Sequence, residues 1–152
     1  MKKIILSVFL ISLSFHGFSQ TCEEREDKLL GVLGTLSAGF LYNTYGLIGS
    51  VADGFDHDAY NENTVSDLMN AQKKLADNMI GLLEKMITEN AFKDKADKDY
   101  ITASVAIIKG LKVQVELLLD LTRNKRQKSI KAYDEQRKKN WKDLSKLMGI
   151  PE

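Results

Sequence analysis

The sequence is poor in residues that cross-link or interrupt a chain. Its 152 residues include one cysteine, Cys22, one proline, Pro151, and two histidines. A single cysteine cannot form an internal disulfide, and a chain almost without proline has little to break long helices. Disulfide scaffolds are therefore excluded, and packing must hold the folded domain together.

The first twenty residues are typical of a secretory signal peptide. Two lysines precede an uncharged apolar run over residues 4–15, and small residues around Ser19 favour cleavage just after them. A run of about twelve residues is too short to span a bilayer, which needs roughly twenty. We therefore expect an exported protein, periplasmic or secreted, with a signal peptide over residues 1–20 and a single helical-bundle domain over residues 21–152.

Apolar residues recur every three or four positions along nearly all of the remaining chain, which excludes a β-rich fold and predicts an all-α protein. Four helical segments are predicted: one from about Glu23 to Ala52, one from Thr64 to near Asn90, and two separated by a turn over residues 122–125. Segments of this length with short connections predict an antiparallel up-down four-helix bundle. The turn contains neither glycine nor proline, so the alternative is a three-element bundle in which the third and fourth helices are continuous.

The spacing also predicts which residues face inward. The second helix carries an a/d seam, interrupted only by a glutamine. The predicted inward positions of the four helices in turn are Leu29, Leu33, Leu36, Phe40, Leu47 and Val51, with Leu30, Leu41, Tyr45, Ile48 and Phe55 beside them; Val65, Leu68, Gln72, Leu75, Met79, Leu82 and Met86; Ile101, Val105, Ile108, Leu111, Val115 and Leu118; and Ile130, Tyr133, Arg137, Trp141, Leu144 and Met148. Thr64 with Asp67 resembles a capping box, and Asp97 or Asp99 is the predicted cap of the third helix.

The first helix has no charged residue over the twenty-four positions from Leu29 to Ala52. It contains several glycines, each of which costs about 1 kcal/mol relative to alanine in a helix. Close approach of a neighbouring helix would offset that cost, and small residues four apart are typical of such contacts. The predicted helix-packing positions are Gly31, Gly34, Gly46 and Gly49. The alternative is a membrane-active protein that inserts this helix.

The segment after the first helix gathers three carboxylates and the histidine that follows the leader. Carboxylate oxygens and imidazole nitrogens are donors that divalent cations accept. Weak metal binding by Asp53, Asp56, His57 and Asp58 is one hypothesis, although neither reading frame of the segment matches a calcium-binding loop. A solvated connection is the other.

Charge is distributed unevenly along a chain that is nearly neutral after the leader. Residues 21–99 hold fifteen acidic and eight basic side chains, whereas residues 121–152 hold four acidic and ten basic ones. A cationic helix on an exported protein favours contact with anionic lipid, an acidic polymer or an acidic protein surface rather than with nucleic acid. The predicted partner-binding residues are Lys131, Lys138, Lys139, Lys142 and Lys146.

Motifs for enzymatic chemistry are missing from the sequence. It contains no Glu-x-x-His pair, haem-attachment motif, nucleophile elbow or phosphate-binding glycine loop. We therefore expect no cofactor and no catalytic residues. The hypothesis is a non-enzymatic binding or structural protein of the cell envelope, which contacts a protein or an anionic surface through its basic C-terminal helix.

Overall fold

The computed structural model describes residues 21–151. They form four α-helices and no strand: α1, Cys22–Asp56; α2, Glu62–Thr88; α3, Lys95–Arg123; and α4, Gln127–Met148. The predicted signal peptide lies outside the described residues. By compactness the chain divides into two units, Met1–Leu33 and Gly34–Glu152. The described part of the first unit is the beginning of α1, and the second unit holds the rest.

The second unit confirms the predicted all-α, four-helix architecture. Ion pairs link α2 and α3 in opposite order along the chain, because Glu62 pairs with Arg123 and Glu84 pairs with Lys109. The two helices are therefore antiparallel. Residues 124–126 are not helical, so the third and fourth helices are separate and the three-element alternative is wrong.

Helix α3 lies at the centre of the apolar core. All six residues that the sequence predicts to face inward on this helix are buried, and so are several positions beside them. Burial of each large aliphatic side chain contributes about 1.5–3 kcal/mol relative to leaving it exposed. The other three helices also contribute buried side chains; examples are Leu41 and Ile48 from α1, Met69 and Leu83 from α2, and Leu144 from α4.

The predicted inward rows of α1 and α2 are only partly correct. Val65 and Gln72 of the predicted a/d seam are buried, but Leu68, Leu75 and Leu82 are 38%, 48% and 56% exposed. Met69, Ala76 and Leu83 are buried in their place because the core contacts the neighbouring side of the helix. On α1, the predicted core residues Leu29, Leu36 and Leu47 are exposed, and so is Ile130 on α4.

Helix boundaries differ from the sequence prediction by a few residues because the capping side chains differ. Helix α1 continues through Asp56 rather than ending at Ala52. The Asn61 side chain accepts a hydrogen bond from the Thr64 backbone N–H, so Asn61 caps α2 and the predicted capping box is wrong. Asp94 accepts from the Ala96 backbone N–H and caps α3, in place of Asp97 or Asp99.

A buried amide network joins α3 to α4. Asn140, which is 1% exposed, donates to the Gly110 carbonyl at 3.0 Å and to Gln114 Oε1 at 2.8 Å. Gln136 donates to Asn140 Oδ1 at 2.8 Å, and Gln114 donates to the Tyr133 hydroxyl at 3.4 Å. No buried side-chain nitrogen or oxygen in residues 21–151 lacks a hydrogen-bond partner. The network therefore avoids the cost of about 1–3 kcal/mol for each unpaired buried polar group.

Cross-helix ion pairs cover the outer boundary between α2 and α3. Besides the two pairs that define the helix direction, Lys73 lies 2.6 Å from Glu116 and Lys112 lies 2.5 Å from Asp77. The hydrogen bond that Lys112 donates to Asp77 raises the pKa of Lys112 above its ordinary value. The lysines of this boundary are therefore compensated by acids within the chain.

Candidate functional site

The basic residues of α4 fall into two groups that differ in their ion pairing. Lys131 lies 3.8 Å from Glu135, and Lys139 lies 2.6 Å from Asp143, one helical turn along in each case. Three other predicted partner-binding residues form no ion pair within residues 21–151: Lys138, Lys142 and Lys146. Exposed ion pairs contribute little to stability, but they neutralise a charge. Lys138, Lys142 and Lys146 therefore keep a positive charge that no acid of the described chain neutralises.

Two of these lysines border a groove between α1 and α4. The groove has a volume of about 490 Å³ and is lined by Tyr45, Asp134, Arg137, Lys138, Trp141 and Lys142. The rings of Tyr45 and Trp141 stack across the two helices, with centroids 5.4 Å apart and planes inclined at 35°. Three cationic side chains and one carboxylate thus surround an aromatic surface.

Arg137 is the half-buried cation of this groove. Its guanidinium donates a hydrogen bond to the Tyr45 side chain, and its Nη2 lies 3.7 Å from the place that a Cβ at Gly49, one turn further along α1, would occupy. The hydrogen bond to Tyr45 raises the pKa of Arg137, against an opposing effect of burial. A guanidinium held in this way stays charged and keeps a planar set of donors next to the groove.

Arg137 also lines a second pocket, near the end of α1 and the start of α4. This pocket has a volume of about 270 Å³, and Asp53, Asp56, Lys125 and Tyr133 are among its lining residues. The ammonium of Lys125 lies 4.6 Å from the centre of the Phe55 ring, within the range of a cation–π interaction. Burial raises the pKa of Tyr133, so this phenol stays neutral and can donate or accept a hydrogen bond.

The four predicted metal-binding residues do not converge on one point. Asp53 and Asp56 belong to the last turns of α1 and line the pocket, whereas His57 and Asp58 lie in the loop that follows. The Nδ1 atom of His57 is 2.8 Å from the Asp53 carbonyl oxygen. Within residues 21–151, no three His, Cys, Asp or Glu side chains group closely enough to hold a metal ion. Metal binding at these residues stays a prediction.

The four glycines of α1 that are predicted to pack against a helix differ in their surroundings. A Cβ added at Gly34 or Gly46 would meet no atom within 4 Å, and the same holds at Gly31. Gly49 is buried and faces the Arg137 guanidinium. No helix of the described residues is both long enough and apolar enough to cross a membrane.

Sequence reasoning alone missed the groove as a candidate site. Tyr45 and Trp141 were predicted to be ordinary core residues, and their contact depends on how α1 and α4 are aligned. One signal was available in the sequence, because Arg137 stands on an otherwise apolar row of α4. A charged residue on such a row must find polar partners, and it has them in Tyr45 and the groove.

Comparisons with protein-family models, with curated proteins and with solved structures find no match to this chain.

Proposed function

We propose that this chain is a non-enzymatic binding protein that contacts an anionic partner through the groove between α1 and α4. The observation that carries the proposal is the set of cations around the aromatic pair: Lys138 and Lys142 form no ion pair in the described chain, and Arg137 lines the same groove beside Tyr45. At the α2–α3 boundary, by contrast, lysines form ion pairs with acids of the same chain. Cations that the chain does not neutralise are available to carboxylates or phosphates of a partner.

We further propose, from the predicted signal peptide, that the protein acts in the cell envelope or outside the cell. There the anionic groups available include lipid headgroups, acidic polymers and acidic protein surfaces. The aromatic surface adds a site for an apolar part of the partner next to the anionic group. A protein with an acidic segment that contains an aromatic or aliphatic residue is the partner that this chemistry fits best.

Charge reversal at the groove tests the proposal. The double variant Lys138→Glu, Lys142→Glu is compared with Lys74→Glu, Lys85→Glu, which changes the net charge equally on the exposed surface of α2. The probes are polyglutamate peptides with and without interspersed leucine, and vesicles that contain phosphatidylglycerol. We expect the groove variant to bind the leucine-containing peptide at least about tenfold more weakly at low salt, equivalent to about 1.4 kcal/mol.

The control variant should bind as the unchanged protein does, and binding should weaken as salt is added. The proposal is wrong if neither peptide binds the unchanged protein, or if the two double variants lose binding equally. Equal binding of both peptides would remove the role of the aromatic surface. Binding to vesicles alone would assign the groove to a lipid surface instead of a protein.

A further inference from the structure

A second surface of the bundle, unrelated to the groove, is formed by the outer sides of α1 and α2. It carries two rows of large apolar side chains that are exposed or half-buried: Leu36, Phe40 and Leu47 on α1, and Leu68, Leu75 and Leu82 on α2. We call this surface the α1–α2 face. Exposure of single leucines is ordinary in folded proteins, but six large apolar residues in two rows require an explanation.

The two rows flank one buried contact between the helices. Gln72 on α2 donates to the Thr44 hydroxyl on α1 at 2.8 Å, which fixes how the two helices are aligned. Leu68 and Leu75 lie one turn on either side of Gln72, and Phe40 and Leu47 lie one turn on either side of Thr44. Because residues three or four apart are neighbours on a helix surface, both rows lie beside the same contact. They therefore form one continuous face.

Charged residues are few on this face. Helix α1 has none between Leu29 and Ala52. On α2, the side chains of Lys73, Asp77 and Glu84 are directed to α3, where each forms an ion pair. The exposed Lys85, three residues after Leu82, is neutralised by Glu89 at 3.8 Å. The two apolar rows therefore carry no charge that would select a charged partner, and two copies of them can meet without opposing like charges.

We infer that the α1–α2 face binds the same face of a second copy of this chain. A two-fold dimer places one surface against itself, so it requires a self-complementary surface, and an uncharged apolar face meets this condition. The seven-residue spacing of Leu68, Leu75 and Leu82 is the spacing by which helices interlock side chains. The other residues of that seam include Val65 and Gln72, which are buried within the bundle.

The size of the face fits a dimer of moderate stability. Two helices about 10 Å wide, over a length of about 25 Å, present roughly 500 Å² on each copy. The two copies together would bury about 1,000 Å², which is the lower bound for a specific interface. We therefore expect a dimer that dissociates on dilution. A lipid surface fits the α1 half of the face less well, since helices that lie on membranes carry lysine or arginine beside their apolar side, and α1 has none from Leu29 to Ala52.

The experiment measures the mass of the assembly in solution. The full chain, produced with its leader and purified as cells process it, is examined by sedimentation velocity from micromolar to millimolar concentration. We expect the mass of two copies at the high end and of one copy at the low end. Leu75→Glu should keep the mass of one copy throughout, a twofold loss of mass relative to the unchanged protein at high concentration.

The matched control is Val113→Glu. Val113 is 44% exposed, close to the 48% of Leu75, but it lies on α3 and outside the α1–α2 face. This variant should dimerise as the unchanged protein does. Leu82→Gln, which introduces no charge, should weaken the dimer to a smaller extent, and circular dichroism checks that each variant keeps its helices.

Several outcomes would overturn the inference. One is a single-copy mass for the unchanged protein at every concentration, and another is equal loss of the dimer in Leu75→Glu and Val113→Glu. If the protein stays monomeric but floats with phosphatidylglycerol vesicles, and Leu75→Glu abolishes this flotation, the face binds lipid. If it stays monomeric and does not float, the face is not a self-association surface. The groove variant Lys138→Glu, Lys142→Glu should dimerise normally, so failure of the two proposals can be told apart.

Discussion

Helices α1 and α3 are both rich in apolar residues, but their surroundings are opposite. Helix α3 is buried along its predicted row, and lysines on its outer surface pair with acids of α2. Helix α1 buries a narrower row and leaves Leu36, Leu47 and Gly46 exposed. Apolar content therefore does not show how much of a helix is buried. The absence of charge on the outer side of α1 distinguishes it from α3.

The largest expected effect on stability comes from truncating a leucine of α3, compared with truncating a leucine of α1. Leu118→Ala, at a position with 0% exposure on α3, should reduce the free energy of unfolding by about 2–5 kcal/mol. Leu36→Ala, at a position with 66% exposure on α1, should change it by no more than about 0.5 kcal/mol in dilute solution. Urea unfolding followed by the fluorescence of Trp141, the only tryptophan, measures both.

The dilute condition matters for the leucine of α1. If a second copy covers this surface, the cost of Leu36→Ala should rise with protein concentration, because association stabilises the folded chain by mass action. A cost equal to that of Leu118→Ala in dilute solution would show that Leu36 is buried in the monomer, and the comparison of the two helices would be wrong.

Replacing a glycine by alanine should lower the free energy of unfolding at Gly110 of α3 and raise it at Gly46 of α1. A Cβ at Gly110 would lie 2.5 Å from Asn140 Oδ1, so Gly110→Ala must disturb the amide network and should destabilise the chain by about 1–2 kcal/mol. A Cβ at Gly46 would meet nothing within 4 Å, and Gly46→Ala should stabilise the helix by up to about 1 kcal/mol.

Thermal unfolding of the two alanine variants at equal dilute concentration compares them. Loss of stability in both would indicate that the backbone at Gly46 is covered by another group. Gain of stability in both would indicate that Asn140 can move without losing its hydrogen bonds.

The smallest expected effect concerns the carboxylate that joins the end of α3 to α4. Asp120 accepts hydrogen bonds from Ser129 at 2.7 Å and from Asn124 at 3.0 Å, and these bonds lower its pKa. Ser129→Ala should raise that pKa towards its ordinary value, as measured by NMR titration. Ser66→Ala, on α2, is the control and should leave it unchanged.

The sign of the pH dependence follows from the direction of this shift. Because the pKa of Asp120 is lower in the folded chain than in the unfolded chain, its contribution is present above the unfolded pKa. It is lost as the pH falls through the folded pKa. An unchanged titration in Ser129→Ala would show that Ser129 does not hold the carboxylate.

The sequence was sufficient to predict the four helices and the burial of α3, because the apolar residues of α3 recur at helical spacing and so identify the side of the helix that is buried. It was insufficient for α2, where Leu68, Leu75 and Leu82 repeat as regularly as the buried residues beside them. Two apolar rows on one helix give the same periodicity as one wide row. Tertiary packing decides which row enters the core.

The candidate site was predictable only as a set of lysines on one helix. The sequence indicated Lys138 and Lys142, but it could not separate them from Lys139, which pairs with Asp143. The contact of Tyr45 with Trp141 joins residues 96 positions apart in the chain. Long-range pairs of this kind depend on helix alignment, which local spacing does not determine.

The buried amides of Gln114 and Asn140 have a consequence for how the chain reaches its folded state. Leucine and isoleucine rows can slide past one another by a helical turn and still exclude water. The bonds that join Asn140 to Gly110 and Gln114 exist in one arrangement only, and a slipped hairpin would bury at least two unpaired amide groups. At about 1–3 kcal/mol each, such errors would cost a large share of the stability of a small domain. These amides therefore favour one alignment of α3 and α4 over arrangements that are shifted by a helical turn.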